Sequence, residues 1–362
     1  MNSPVANHSG VPSGASPKFP SFSEISRSFA PGWFAAVMGT GVLALTAHSL
    51  SGRWPFLTPL VQGLHWFNVL LFCVLSVPWL TRWLRFHEAA MMTLRHPVQA
   101  SFYPTFAIAM LVLAAQWLAI AGMPVAALAF WWGGTALVFV FSFAVLFQMF
   151  RGEHVDLEHV TPAKFIPAVG LVVIPVAGGP LLELQSGAMR ELALLVNILG
   201  LGAGTMMYLG LLGLTLQRKL LAKPAVGILT PTAWIHLAPL GVIPVSLLNV
   251  LDQLPFAVAH EPFLFISLLL WGFGVWWLVM ASLLTWAARR AGQMPFALSW
   301  WGFTFPLGVF VAASLRLSPL TGIGSVDTIG VACWFLLLLV WGVTLVNTVR
   351  GVISGAVFRP HP

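Results

Sequence analysis

Charged residues are scarce in this chain. Asp, Glu, Lys and Arg make up 7% of its 362 residues, whereas about 25% is usual for a soluble domain. Because 59% of the residues are hydrophobic, a soluble enzyme or a soluble binding domain is excluded. The net charge of +7 is spread over short segments between apolar runs, so it forms no patch that would bind nucleic acid. The composition predicts a polytopic membrane protein.

A disulfide framework and a secretory signal are also lacking. Both cysteines, Cys73 and Cys333, lie within apolar runs, so neither is expected to form a disulfide. The first 29 residues are rich in Ser, Pro and Gly and contain no apolar stretch of the kind that forms a signal peptide. We therefore expect residues 1–29 to form a disordered cytoplasmic tail.

Long apolar runs, by contrast, are abundant. Ten runs have the length of about 20 residues that a helix needs to cross a bilayer. They predict an all-α protein with one transmembrane domain over residues 30–350 and a short cytoplasmic tail over 351–362. The predicted spans are 30–50, 62–83, 101–121, 125–150, 162–179, 189–217, 229–251, 262–287, 296–317 and 327–349.

Basic residues are distributed unevenly between the two sides of these spans. Fourteen Lys and Arg lie in the tail or after even-numbered spans, and three, Arg53, Arg190 and Arg316, lie on the opposite side. Cytoplasmic segments carry the excess of Lys and Arg in membrane proteins. The bias predicts that both termini are cytoplasmic, in a plasma membrane such as the bacterial inner membrane.

Acidic side chains are absent from the interior of the predicted spans. All ten Asp and Glu lie in the tail, in loops or at span ends, and no Lys or Arg lies mid-span. Charges within the membrane are typical of proton relays and ion-coupled carriers, so this pattern does not favour a carrier of that kind. The positive loops, and Arg316 near one mouth, favour anions over cations.

Prolines recur in the odd-numbered spans. One from each is separated from the next by 63 to 73 residues, about the length of a helical hairpin. A proline inside a helix leaves the carbonyl four residues earlier without a donor, so Pro306 should free the carbonyl of Gly302 towards water or a neighbouring helix. Alternatively, membrane helices simply contain more proline than soluble ones. The recurring residues are Pro31 at a span mouth and the predicted kinks Pro104, Pro167, Pro239 and Pro306.

A few polar side chains lie within the odd-numbered spans and could line a pathway. For each Ser or Thr the competing interpretation is a hydrogen bond to its own helix backbone. For the histidine it is a hydrogen bond between helices. The candidates are Thr40, Thr105, His236, Ser246, Asn249, Thr304 and Ser314, with Arg316 at the pore mouth.

Motifs of enzymes and of metal sites are lacking. No HExxH, GxSxG or GxxxxGK[ST] sequence occurs. The segment EHVDLEH, 153–159, has two histidines five residues apart, which do not share one helix face, so a charged loop is a better interpretation than a metal site. The three glycines of LGLGAGT, 199–205, lie in an apolar helix and predict close helix packing. We therefore predict no catalysis, no metal and no cofactor.

Three segments resemble the tellurite-resistance/dicarboxylate transporter family. They are PGWFAAVMGTGVLAL (31–45), EHVTPAKFIPAVGLVVIP (158–175) and WWGFTFPLGV (300–309). The family includes bacterial tellurite-resistance proteins, a fungal malate permease, a fungal sulfite efflux pump and a plant slow anion channel. The resemblance implies five helical hairpins in a quasi-fivefold arrangement, a central pore lined by the odd-numbered helices, and a homotrimer with one pore per subunit.

In that family a phenylalanine of the ninth helix, beside its kink, plugs the pore. The matching residue is Phe305, with Phe303 as the second candidate, although either could be a core aromatic. The resemblance implies a channel or channel-like transporter for small anions in the lipid bilayer, with C4-dicarboxylates such as malate as first choice. The alternatives are an exporter of sulfite, tellurite or another small inorganic anion, an ion-coupled symporter, and a membrane-embedded enzyme or sensor.

The bias in basic residues makes a testable prediction about topology. Reporter fusions after Arg151 and Lys223 should read as cytoplasmic, and fusions near Gly122 and Pro255 should read as external, because only the former sites follow even-numbered spans. A reversed reading at either pair of sites would contradict the ten-span order.

Overall fold

The computed structural model describes residues 19–96, 98–151, 160–222 and 227–358. In these ranges ten helices are long and apolar enough to cross a membrane, and no residue is in a strand. The all-α polytopic membrane fold is therefore confirmed. In chain order the α-helices are α1 (Phe22–Ser28), α2 (Ala35–Ser51), α3 (Thr58–Arg85), α4 (His87–Arg95), α5 (Pro104–Ala119), α6 (Pro124–Arg151), α7 (Ile166–Leu181), α8 (Gly187–Leu221), α9 (Leu237–Leu251), α10 (Glu261–Arg290), α11 (Thr304–Thr321) and α12 (Gly324–Ile353).

Odd- and even-numbered spans differ in burial. In the odd-numbered spans 67–89% of an apolar 18-residue stretch is buried, against 17–33% in the even-numbered spans. The exposed residues of the even-numbered spans are largely hydrophobic, which suits contact with lipid. We call α2, α5, α7, α9 and α11 the inner helices and α3, α6, α8, α10 and α12 the outer helices.

The inner helices form a closed ring. Contacts join α2 to α5, α5 to α7, α7 to α9, α9 to α11, and α11 back to α2. Each inner helix also contacts the outer helix that follows it in the chain. The inner helices therefore follow one another around the ring in the order in which they occur in the sequence.

Short 3-10 segments precede the inner α-helices, and the predicted kinks lie at these junctions. All four prolines sit in the first turn of an α-helix, where N–H groups have no intrahelical partner and proline costs no hydrogen bond. Gly302 precedes α11, so Pro306 lies at the start of a helix and does not interrupt one in the way that the sequence pattern had predicted. The prolines are Pro104, Pro167, Pro239 and Pro306, and the 3-10 segments are Pro31–Phe34, Gln99–Phe102, Pro162–Phe165, Gly227–His236 and Leu298–Phe303.

The N-terminal segment is more ordered than predicted. Residues 1–18 lie outside the described residues, but Phe22–Ser28 form α1. Ser21 accepts from the backbone of Glu24, whose carboxylate accepts in return from the backbone of Ser21. Such a capping box satisfies two donors at a helix start, so disorder through residue 29 is wrong for this stretch.

The two ends of the described chain pack together. The ring of Phe358 stacks on Trp33 at 5.8 Å between ring centroids and meets Phe19 edge-on at 6.2 Å. Part of the predicted C-terminal tail, 351–362, is thus packed against the bundle, while residues 359–362 lie outside the described residues. The EHVDLEH segment, 153–159, also lies outside them.

The glycines of LGLGAGT confirm close packing at two of three positions. A Cβ on Gly200 would lie 2.6 Å from the carbonyl oxygen of Leu171, and one on Gly204 would lie 2.7 Å from that of Ala168. A Cβ on Gly202 would meet nothing within 4 Å. Outer helix α8 therefore approaches inner helix α7 at backbone distance, on one face only.

Alanine substitutions in this motif should separate the two faces of α8. Gly200→Ala and Gly204→Ala should each lower the free energy of unfolding by about 1–3 kcal/mol, because the added methyl group forces α8 away from α7. Gly202→Ala is the matched control and should leave stability unchanged or slightly raised. Unfolding midpoints in detergent test this, and equal midpoints for all three variants would contradict the packing.

Candidate functional site

One face of α11 carries a row of residues whose exposure increases along the helix. They are spaced i, i+4, i+7 and i+11, which places them on one side of an α-helix. Phe305 is 4% exposed and Val309 is 8% exposed, whereas Ala312 is half-buried and Arg316 is exposed. The exposure of the residues in this row therefore decreases from Arg316 to Phe305.

The other four inner helices carry the same row, which we call the stripe. In each helix the first two positions are buried and the fourth is exposed or half-buried. Equivalent positions recur every 61 to 70 residues. The stripes are Met38, Val42, Leu45 and Ser49 in α2; Ile108, Val112, Ala115 and Ala119 in α5; Val169, Val173, Val176 and Pro180 in α7; Ala238, Val242, Val245 and Asn249 in α9; and Phe305, Val309, Ala312 and Arg316 in α11.

The stripes face away from the outer helices. Tryptophans of three outer helices contact inner helices on the side opposite the stripe, so the stripes are turned towards the inside of the ring. The contacts are Trp341 with the hydroxyl of Thr40 (3.0 Å), Trp131 with the carbonyl of Ile174 (2.9 Å) and Trp271 with the ring of Phe310 (5.9 Å between centroids).

Two successive levels of the stripes are buried and apolar, and we call them the neck. The second level consists of five valines, none more than 8% exposed. At the first level α11 carries the bulkiest side chain, Phe305, and the neighbouring helix α9 carries the smallest, Ala238. A constriction without polar groups opposes ions because it strips their hydration water. The levels are Met38, Ile108, Val169, Ala238 and Phe305, then Val42, Val112, Val173, Val242 and Val309.

The two gate candidates occupy different surroundings. Phe303 lies before α11, off the stripe, and packs edge-on against Trp234 and Trp300 at 5.4 and 5.9 Å between ring centroids. Phe305 lies on the stripe at the first level of the neck. Phe303 therefore lies among aromatic rings before α11, whereas Phe305 lies at the first level of the neck.

Most of the polar candidates contact neighbouring helices or backbone. Thr40, His236 and Ser314 contact outer helices, whereas Ser246 and Thr304 lie between inner helices, and all five are fully buried. Of the two remaining candidates, Asn249 is the fourth stripe position of α9, and Thr105 lies three residues before the first stripe position of α5. The hydroxyl of Thr105 lies 2.7 Å from the carbonyls of Pro31 and Phe102, Thr304 donates to the carbonyl of Trp301 (2.9 Å), and Ser314 donates to the carbonyl of Phe310 (2.8 Å).

His236 is enclosed by aromatic rings. Its imidazole lies 4.0 Å from the ring of Trp277 and 4.5 Å from that of Phe165, measured between centroids. Neither ring nitrogen has a hydrogen-bond partner among the described residues. The predicted interhelical hydrogen bond is therefore replaced by ring contacts.

Asn249 satisfies a carbonyl that a proline leaves without a donor. Pro180 has no N–H for the carbonyl of Val176, four residues earlier in α7. The side-chain amide of Asn249 donates to that carbonyl (3.0 Å) and to the carbonyl of Pro175 (3.1 Å). Ser246, one turn earlier in α9, donates to the carbonyl of Val172 (2.5 Å). Two polar side chains thus tie α9 to the interrupted backbone of α7.

Charge is confined to one end of the inner helices. These five helices contain no Asp or Glu, and Arg316 is the single Lys or Arg among them. The guanidinium of Arg316 donates to the carboxylate of Asp252 at 3.3 Å, and both side chains are more than 40% exposed. The end that carries Arg316, opposite the chain termini, is the far end of the bundle.

The sequence that builds this ring of inner helices matches a known family. The model of the SLAC1 family of voltage-dependent anion channels matches residues 28–349. The chain belongs to this family of anion channels and transporters. The earlier resemblance is thereby confirmed, and the family is of the transporter type rather than an enzyme family.

Relatives cover nearly all of the chain. An uncharacterized transporter of Methanocaldococcus jannaschii is 41% identical over 93% of this chain and 97% of its own. A sulfite efflux pump of Arthroderma benhamiae is 26% identical over 92% and 93%. A malic acid transport protein of Schizosaccharomyces pombe is 21% identical over 92% and 81%.

Several of these features escaped the sequence reasoning. The neck lies in apolar residues, whereas the candidates were chosen for polarity. A signal was present, since GVL, LVL, VVI, GVI and GVF surround the five valines at near-regular intervals. Aligning the odd-numbered spans on these triplets would have found the second level.

The bonds made by Asn249 generate a stability prediction. Asn249→Ala should lower the free energy of unfolding by about 1–3 kcal/mol, because the carbonyl of Val176, to which Pro180 offers no N–H, loses its side-chain donor. Asn347→Ala is a matched control, since that amide donates to a carbonyl of its own exposed helix (2.8 Å). Unfolding midpoints in detergent test the pair, and equal losses would contradict the role of Asn249.

Proposed function

We propose that the protein conducts small anions passively along the axis of the inner ring. The observation that carries this proposal is the neck, in which five stripes bring buried apolar side chains to the same two levels. Arg316, the single Lys or Arg of the inner helices, offers an anion a local positive contact at the exposed end of the α11 stripe. Anion flux into proteoliposomes containing the purified protein tests the proposal directly, and the absence of flux for every small anion would overturn it.

Phe305 is the gate in this proposal. A phenyl ring at the first level fills a narrow apolar passage and keeps it dry, which blocks ions without any charge. Rotation of that ring towards the small Ala238 would open the passage. The family resemblance supports the assignment, and the position of Phe305 on the stripe supports it independently.

Sulfite is the first substrate to test. The fungal sulfite efflux pump is more similar to this chain than the malic acid transport protein is. An uncharged neck also favours a small singly charged anion such as hydrogen sulfite, because bringing charge into an apolar site is costly. C4-dicarboxylates such as malate, the first choice from sequence, come second, and tellurite follows as a further small oxyanion.

Passive conduction is favoured over coupled transport. A proton- or sodium-coupled carrier requires an ionisable group that changes state within the membrane, and the inner helices carry no carboxylate. An enzyme would require a convergent cluster of reactive side chains. No group of three or more His, Cys, Asp or Glu that could hold a metal occurs among the described residues.

The proposal includes a cellular arrangement. Both termini face the cytoplasm of a plasma membrane, so the far end is external, as the basic residues of the loops indicate. By family resemblance three copies assemble into a homotrimer with one pathway in each.

Truncating the gate should raise anion conductance. Phe305→Ala removes the ring from the neck, so current through proteoliposomes should increase while the protein stays folded. Phe303→Ala is the control: it should cost about 3–5 kcal/mol of stability, as for a buried core aromatic, without raising the current. A Phe305→Ala variant that is destabilised and shows no gain in current would identify Phe305 as a core residue.

Flux should depend on the charge of the anion and on voltage. Malate flux should rise as pH falls towards its second pKa, because the monoanion crosses an apolar neck more easily than the dianion. Current should persist when the proton gradient is collapsed at constant pH and voltage. Loss of current under that condition would indicate a coupled carrier instead.

A further inference from the structure

A cavity lies at the far end of the bundle, between the ends of α2 and α11 and the start of α12. Its volume is about 490 Å³, which is large enough for a small organic or inorganic anion. Three charged side chains line it, namely Arg53, Arg316 and Asp327. Ser49 and Ser318 add hydroxyl groups to the same wall.

The cavity is continuous with the pathway residues. Ser49 and Arg316 are the outermost stripe positions of α2 and α11, which are neighbours in the ring. At the same level α5 and α7 present Ala119 and Pro180. The polar and charged stripe positions of the far end therefore lie on one side of the ring, and the cavity lies on that side.

Both arginines of the cavity already hold carboxylates. Arg53 makes a two-pronged contact with Asp327, at 2.8 and 2.9 Å to its two oxygens. Arg316 makes a single longer contact of 3.3 Å with Asp252. The hydrogen bond to Asp327 raises the pKa of Arg53, so this guanidinium stays charged over the physiological pH range.

These ion pairs are open to exchange. The side chains of Arg53 and Asp327 are 50% and 26% exposed, and those of Arg316 and Asp252 are 47% and 42% exposed. A single exposed contact such as Arg316–Asp252 is weak because water and salt compete with it, whereas the two-pronged Arg53–Asp327 pair is the stronger of the two. An incoming carboxylate or oxyanion offers each arginine the same two-oxygen acceptor that Asp327 offers Arg53.

We infer that this cavity is a binding station for a small carboxylate or oxyanion, in which Arg53 and Arg316 hold the anion and Asp327 and Asp252 compete with it. The station rests on the proposed function, since it concentrates anions beside the pathway. The competing carboxylates keep binding weak, and a conducted ion must leave its site readily to move on. Affinity is set at the station, whereas the maximal current is set at the neck.

Substitution of Asp327, which competes with the anion, and of Arg53, which holds it, should shift the affinity for the anion in opposite directions. Asp327→Asn removes the competing charge with little change of shape, so the half-saturating anion concentration should fall about two- to fivefold. Arg53→Gln should raise it by a similar factor. In the double variant Asp327→Asn should help less than it does in the wild type, because the arginine that it frees is gone and only the repulsion by Asp327 is removed.

The experiment measures current against sulfite and malate concentration, added at the far end of the protein at constant ionic strength. Arg190→Gln is the control, because Arg190 lies on the same side but donates to the carbonyl of Leu182 and does not line the cavity. The maximal current should change little in Asp327→Asn. Unchanged half-saturation in both Asp327→Asn and Arg53→Gln would overturn the station while leaving anion conduction intact.

A second measurement does not depend on conduction. Sulfite or malate should raise the unfolding midpoint of the detergent-solubilised protein, at lower concentration in Asp327→Asn and at higher concentration in Arg53→Gln. If the wild type conducts no anion but these midpoint shifts occur, the proposed function fails and the binding station stands. Identical anion-induced shifts of the midpoint at all concentrations in the three proteins would overturn the station.

Discussion

Backbone carbonyls in a membrane interior must find donors within the protein, because hydrocarbon offers none. The inner helices meet this constraint by borrowing donors from each other. Asn249 and Ser246 of α9 donate to carbonyls of α7 beside its prolines, and Gln116 of α5 donates to the carbonyl of Gly41 in α2 at 3.2 Å. These bonds join neighbouring helices of the ring. Those made by α9 also lie where prolines interrupt the backbone hydrogen bonds of α7.

The neck follows from this division of polar and apolar side chains. Polar groups of the inner helices are occupied at helix contacts, which leaves valines and Phe305 for the face inside the ring. A neck with no polar group and no charge cannot bind an anion tightly. It can select by size and by the ease of dehydration. Selectivity among anions is thus expected to be graded rather than absolute.

Hydrophobic run length predicted the ten spans well, because a bilayer imposes that constraint directly on composition. The proline interpretation failed in its details. Pro306 marks the start of α11 after a 3-10 segment, and a periodicity of prolines does not reveal whether each lies at a helix start or inside a helix. Polarity was also a poor guide, since Thr40 and Ser314 face outer tryptophans. Which face of an all-apolar helix is turned inward depends on tertiary contacts, and the sequence pattern of α11 alone does not contain them.

Cysteine accessibility tests most directly whether the stripes line the pathway. In a background with Cys73 and Cys333 replaced by alanine, single cysteines at Ala312 and Val245 should react with a small anionic thiol reagent and reduce anion current. Cysteines at Ala313 and Leu240, which are buried and off the stripe, should not react. Val309→Cys should react faster when Phe305 is also alanine, because the passage is then open. Equal reactivity on and off the stripe, or reaction at Ala313 alone, would contradict a pathway inside the ring.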